Sequence, residues 1–150
     1  MDIRYSEFTT LISSINKNIQ KIKNIEMFEF GLKGNQVQCL YFLFNEPNGI
    51  SSSKLCKLCG EDKAAISRTI ADLENKGLVS QEASGEKKYK NPITLTQKGK
   101  DVGVLINDKI QEIWNLSSYN INDQERKYLY SSLHKIDKNL QSVFVRYKEK

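Results

Sequence analysis

The stretch GEDKAAISRTIADLENKGLV, residues 60–79, carries side chains spaced to touch base pairs. Asp62 suits the N-cap of a helix over 63–76, because a short carboxylate accepts from the free N–H groups of a first turn. At about 100° per residue, Ile66, Ile70 and Leu73 share one face, and Ala64, Ser67, Arg68, Ala71 and Asn75 centre on the other. An ordinary surface helix carries more long charged residues there. Small residues let a backbone approach base edges in a major groove. Arg68 has the fork that pairs with a guanine or a phosphate, and Ser67 and Asn75 add short hydrogen bonds. Ser51, Ser52, Ser53 and Lys54 open the preceding helix with hydroxyls, N–H groups and a cation for phosphate, and Lys63 adds a second cation. The competing reading is an αα-hairpin in which the two helices only pack.

Lys87, Lys88, Tyr89 and Lys90 form the tip of a loop between two β-prone runs, LVSQEA and NPITLT. A basic hairpin just after such a helix is a wing, able to track a phosphate backbone or dip into a minor groove. A solvated lysine loop is the alternative. The two features in sequence favour contact with nucleic acid over both plainer readings. Charge agrees. The chain has a net charge of +5, and residues 54–100 hold ten Lys or Arg against six Asp or Glu.

Cysteine chemistry is the other prospect. Cys56 and Cys59 make a CxxC, and Cys39 stands apart. A zinc site needs two more ligands, and Cys39 and His134 fall in other elements, so no metal site is expected. A redox pair needs exposed, acidic thiols at a helix N-terminus, whereas Cys56 and Cys59 sit near a C-terminus, where the dipole disfavours thiolate. Packing as small hydrophobes is the expectation. Redox sensing at Cys56 and Cys59 is the rival, and it demands that peroxide weaken DNA binding. His134 falls beside the apolar stripe of the last helix and is expected as an interface residue. No nucleophile–base motif, phosphate loop or metal cluster is visible, so no enzyme and no cofactor is expected.

The elements that position these residues read as helix, helix, helix, helix, hairpin, helix, helix. Phe8, Leu11, Ile12, Ile15, Ile19, Ile22 and Ile25 space a first amphipathic helix over 6–29. Two glycines in GLKGN break it, and an apolar helix follows from Gln36 to Asn45. A serine of SSSKLCKLCG caps the third helix and Gly60 closes it. Thr96 caps a fifth helix with Val102, Leu105, Ile106, Ile110, Ile113 and Trp114 as its apolar residues. Asn122 and Glu125 approach a capping box for a sixth, whose stripe is Leu129, Leu133, Ile136, Leu140, Val143 and Phe144. The predicted class is mainly α with a small β-hairpin wing. The 150 residues suit one domain. Hydrophobic content of 39% and charged content of 27% are those of a globular chain. There is no transmembrane-length apolar run and no apolar core in MDIRYSEFTT, so the cytoplasm is the expected location.

ISSSKLCKLCGEDKAAISRTIADLENKGLVSQEASGEKKYKNPITLTQKG resembles the winged helix-turn-helix of MarR-type bacterial transcription regulators. The pieces that carry the resemblance are Ser67–Arg68, L–E–KGLV from Leu73 to Val79, and LT–KG from Leu95 to Gly99. The flanking helices fit, so it covers nearly the whole chain. It implies a DNA-binding winged helix over about 34–96, with dimerisation helices over 1–33 and 97–150. It also implies a homodimer on a pseudo-palindromic operator, most often a repressor, with a small molecule or oxidant altering the spacing of the two reading helices. The stripes of helices one, five and six support a dimer independently. Phe8, Leu11, Ile12, Ile15, Ile19, Leu129, Leu133, Ile136, Leu140, Val143 and Phe144 would leave a large apolar patch exposed on a monomer. One departure stands out. Wings of such regulators usually carry an acidic residue followed by arginines, and here Lys87, Lys88 and Tyr89 occupy those positions. A lysine is a strongly hydrated point charge, which favours phosphate contact over shape reading. A protein-interaction module without a DNA target is the functional alternative, and it predicts a dispensable Arg68.

Overall fold

In the computed structural model, residues 3–28, 31–81 and 91–148 are described. The expected wing residues Lys87, Lys88, Tyr89 and Lys90 lie outside them, as does the side chain of Ile25. The order is α1 (Ile3–Phe28), α2 (Gly34–Phe44), α3 (Ser52–Cys59), α4 (Lys63–Asn75), β1 (Val79–Gln81), β2 (Ile93–Leu95), α5 (Gln97–Ser117) and α6 (Asp123–Lys148). Two compact units divide it, residues 1–110 and 111–150.

The core of the first unit is apolar and continuous. Leu40, Leu43, Leu55, Ile66, Leu73, Ile93 and Ile106 are buried together from α2, α3, α4, β2 and α5. β1 and β2 pair antiparallel, with Val79 opposite Leu95 and Gln81 opposite Ile93. Ile50 adds a single bridge to the other side of β2, exchanging both backbone hydrogen bonds with Ile93 at 3.0 and 2.9 Å. That bridge anchors the start of α3 to the wing, and nothing in the spacing of isolated Ile50 announced it.

Local chemistry sets the helix ends. Ser51 accepts from Lys54 N at 3.3 Å and caps α3; Gly60, at φ 68°, closes it in the left-handed conformation. Asp62 accepts from Ala65 N at 2.8 Å and caps α4. The resembling motifs LENKGLV and LTQKG bind each other. Thr96 Oγ1 donates to Gly77 O at 2.7 Å, Lys98 Nζ donates to Lys76 O at 2.9 Å, and Thr96 N donates to Leu78 O at 3.1 Å. Gly99 lies so close to this turn that a Cβ there would meet Leu78 O at 1.9 Å.

In the second unit Ser118 is buried and donates to Trp114 O at 2.8 Å. The Arg126 guanidinium lies 5.8 Å from the Trp114 ring centroid. Asn122 and Glu125 complete the expected capping box: Glu125 N donates to Asn122 Oδ1 at 3.0 Å, and Asn122 N to Glu125 Oε2 at 2.9 Å. The apolar stripe of α6 is largely uncovered, and so is that of α1. Ile15 is 53% exposed, Leu140 57% and Phe144 60%. Leu11, Ile12, Ile19, Leu129 and Val143 are exposed too, while Phe8, Leu133 and Ile136 are half-buried. On α5, Ile106 is fully buried, Val102 and Ile110 pack beside the core, and Leu105, expected with them, is exposed.

Candidate nucleic-acid interface

The α4 helix is divided as its periodicity requires. Ile66, Thr69, Ile70 and Leu73 are buried, and Ala64, Ser67, Arg68, Ala71 and Asn75 are all exposed. Thr69 is the residue the apolar stripe did not predict. Its hydroxyl donates to Ala65 O at 2.9 Å and accepts from Asn35 Nδ2 at 2.9 Å, so its burial leaves no polar atom unpaired. Gln36 Nε2 donates to Asp72 Oδ2 at 3.4 Å, and Lys76 Nζ to Gly31 O at 2.9 Å. α2 and the turn before it therefore hold α4 from behind, and the opposite face stays open.

A shallow cleft of about 640 Å³ brings several of the predicted residues together. Ser52, Ser53, Lys63, Ser67 and Ala71 line it, with Cys56 and the wing-base residue Gln81. Gln81 and Cys56 were not foreseen as neighbours of this face. Gln81 Nε2 donates to Asn91 O at 2.8 Å, which ties the cleft to the segment leading into β2. Ser51 accepts the capping bond from Lys54 N. Lys54 is exposed but paired, its Nζ 2.8 Å from Glu46 Oε1. So exposed an ion pair is worth about 0–1 kcal/mol and yields readily to a phosphate. Arg68 and Asn75 project from α4 outside this cleft's lining. The wing loop, Lys87 to Lys90, falls outside the described residues.

The arrangement has the parts that reading duplex DNA requires: a helix face of small and hydrogen-bonding residues, flanked by the serine-rich start of another helix and by cations. Residues 30–88 match the model of the MarR family. That match covers α2, α3, α4 and β1. The chain's fold is the winged helix seen in MarR family regulators. Solved structures agree across nearly its whole length. The transcriptional regulator SlyA is 26% identical, with 90% of this chain and 94% of that one covered at a TM-score of 0.77. A MarR family regulator from Neisseria meningitidis is 17% identical, with 95% and 97% covered and a TM-score of 0.83. A Listeria monocytogenes protein assigned to the MarR family, solved with a 26mer DNA, is 24% identical, with 95% and 94% covered and a TM-score of 0.78.

Among the described residues no cluster of three or more His, Cys, Asp or Glu could hold a metal ion, and no helix is long and apolar enough to cross a membrane. His134 is exposed on α6. None of the three cysteines is in a disulfide; Cys39 is fully buried, and Cys56 and Cys59 pack beside the core. A second cleft, of about 480 Å³, lies between α1, the start of α2 and the end of α3; Asn16, Gln20, Asn35, Gln38 and Cys59 are on its walls.

Proposed function

We propose that this protein is a sequence-specific double-stranded DNA-binding transcriptional regulator, working as a homodimer on a pseudo-palindromic operator. The observation that carries the reading is the open face of α4. Ala64, Ser67, Arg68, Ala71 and Asn75 face solvent, while Asn35, Gln36 and Lys76 fix the helix from behind. Arg68 contacts a guanine edge or a phosphate, Ser67 and Asn75 make short hydrogen bonds, and Ser51–Lys54 with Lys63 hold the backbone. Lys87, Lys88, Tyr89 and Lys90 extend this contact along the phosphates as a wing.

The exposed stripes of α1 and α6 support the homodimer. Two-fold symmetry then places two reading helices on successive major grooves. Repression is steric, the dimer excluding polymerase from a promoter. A small-molecule or oxidant signal releases it by binding the DNA-competent and incompetent states with different affinity. The cleft between α1, α2 and α3 is the candidate site for such a signal. Its wall residue Asn35 bonds directly to Thr69 of the reading helix.

Fluorescence anisotropy tests the central reading. The full chain is titrated against DNA from upstream of its own gene, with scrambled DNA as control, over a salt series. Selective binding that weakens steeply with salt is expected. Equal, weak binding to both would overturn specific recognition at that site.

A further inference from the structure

Cys59 meets a sulfur from outside its own CxxC. Cys39 of α2 and Cys59, the last residue of α3, bring their sulfurs to 3.7 Å. A disulfide spans about 2.05 Å, so the pair closes if the two helices approach by somewhat under 2 Å. The two thiols differ in access. Cys39 is fully buried, whereas Cys59 is half-buried and forms part of the wall of the open cleft between α1, α2 and α3. A small oxidant reaching that cleft meets Cys59, with Cys39 directly behind it.

We propose that Cys39 and Cys59 are an oxidation-sensitive pair whose closure to an intrachain disulfide draws α3 against α2 and weakens DNA binding. The oxidant is a hydroperoxide. The Cys59 sulfur attacks one peroxide oxygen, the O–O bond breaks, and the departing oxygen takes a proton to leave as an alcohol, or as water from hydrogen peroxide. Cys59 is then a sulfenic acid. The Cys39 sulfur attacks it, the S–O bond breaks, and the Cys39 proton leaves with the hydroxyl as water. Two thiols lose two protons and two electrons, and the peroxide gains them.

The surroundings assign the order of events. The hydrogen bond to Cys59 and then burial push the Cys39 thiol far above the ordinary cysteine range, with Glu61 and Cys56 acting the same way. Cys39 is therefore the resolving sulfur and does not start the reaction. Cys59, the last residue of α3 and part of the cleft wall, is the sulfur that an incoming peroxide meets first. The consequence for DNA follows from α3 itself. Its first residues, Ser52 and Ser53, share a cleft with Lys63 and Ser67 of α4, so drawing α3 towards α2 shifts the phosphate contacts relative to the base-reading face. This last step rests on the DNA-binding function proposed above; closure of the pair does not.

The test uses full-length protein, reduced or treated with millimolar hydrogen peroxide, alkylated, digested and weighed, beside anisotropy on its operator. Treated protein is expected to lose two hydrogens per chain and to yield a Cys39 peptide linked to a Cys59 peptide. Its Kd is expected to rise at least about fivefold, reversibly with thiol reductant, as for a modest coupling between sites. Cys59→Ser, on the cleft wall, is expected to bind as reduced wild type and ignore peroxide, while Cys56→Ser responds fully. A Cys56–Cys59 link, a link between subunits, or a Cys39–Cys59 link with unchanged Kd overturns the proposal. Untreated protein that ignores DNA overturns the regulator and the switch together, whereas untreated protein that binds but forms no link on treatment overturns the switch alone.

Discussion

Asp62, the cap of α4, and Arg68, six residues on within it, serve different ends. Asp62 fixes where the helix starts, through its 2.8 Å bond from Ala65 N. Removing it as Asp62→Ala is expected to lower folding stability by about 1 kcal/mol, the usual worth of an N-cap, and urea unfolding checks this. Arg68 is exposed and is expected to act outward. Arg68→Ala should leave the urea midpoint unchanged, yet cost about 1–3 kcal/mol in operator affinity and relax specificity at one base pair, if it reads a base. Measured side by side, the two variants separate a residue that builds the helix from one that uses it. An Arg68→Ala protein that binds its operator as wild type does would remove the base-contact role. Lys54 is intermediate: its bond to Glu46 adds little stability, so its substitution registers mainly in salt-dependent binding.

At the level of elements, the tightest constraint is the latch between the turn after α4 and the start of α5. Gly99 packs where any side chain would strike the Leu78 carbonyl, a backbone atom unable to step aside cheaply. Gly99→Ala is therefore expected to cost at least about 1–3 kcal/mol, visible as a fall in Tm of several degrees, and to weaken DNA binding only through unfolding. The wing makes the opposite prediction. Lys88→Ala should leave Tm unchanged, weaken all DNA sequences alike, and lower the slope of log affinity against log salt by about 1. Much of this was legible in the sequence, because caps and helix stripes are local. Ser51, Asp62, Asn122 and Glu125 need only their own first turns, and Ile66, Ile70 and Leu73 need only a period of 3.6. What was not legible depends on distant partners. Thr69 is buried because Asn35, thirty-four residues away, supplies a donor; Ile50 joins the sheet because Ile93 is there; Cys59 meets Cys39 across helices. The resemblance supplied LTQKG and LENKGLV as motifs, and only three dimensions show that they grip each other.

For the whole molecule, the question is what covers α1 and α6. Phe8, Ile12, Ile15, Ile19 and Ile22 follow spacings of four and three, as do Leu129, Leu133, Ile136, Leu140 and Val143. A repeat of 3.5 residues suits a helix packed along its length against other helices. Yet Ile15, Ile19, Leu140 and Val143 remain exposed in one chain. An apolar surface of that extent on a monomer would drive association, and a second copy offers the same stripes in matching number. If these stripes form the dimer interface, Leu140→Glu places two uncompensated charges in it, one from each subunit. Each costs several kcal/mol when desolvated, so the dimer is expected to dissociate at micromolar concentrations in sedimentation velocity, while α4 and its caps stay intact. DNA affinity should fall further than Arg68→Ala alone produces, because each monomer then grips a single half-site without the gain in effective concentration that linkage provides. A wild-type chain that sediments as a monomer, or a Leu140→Glu variant that remains fully dimeric, would place the interface elsewhere and leave the exposed stripes needing another partner.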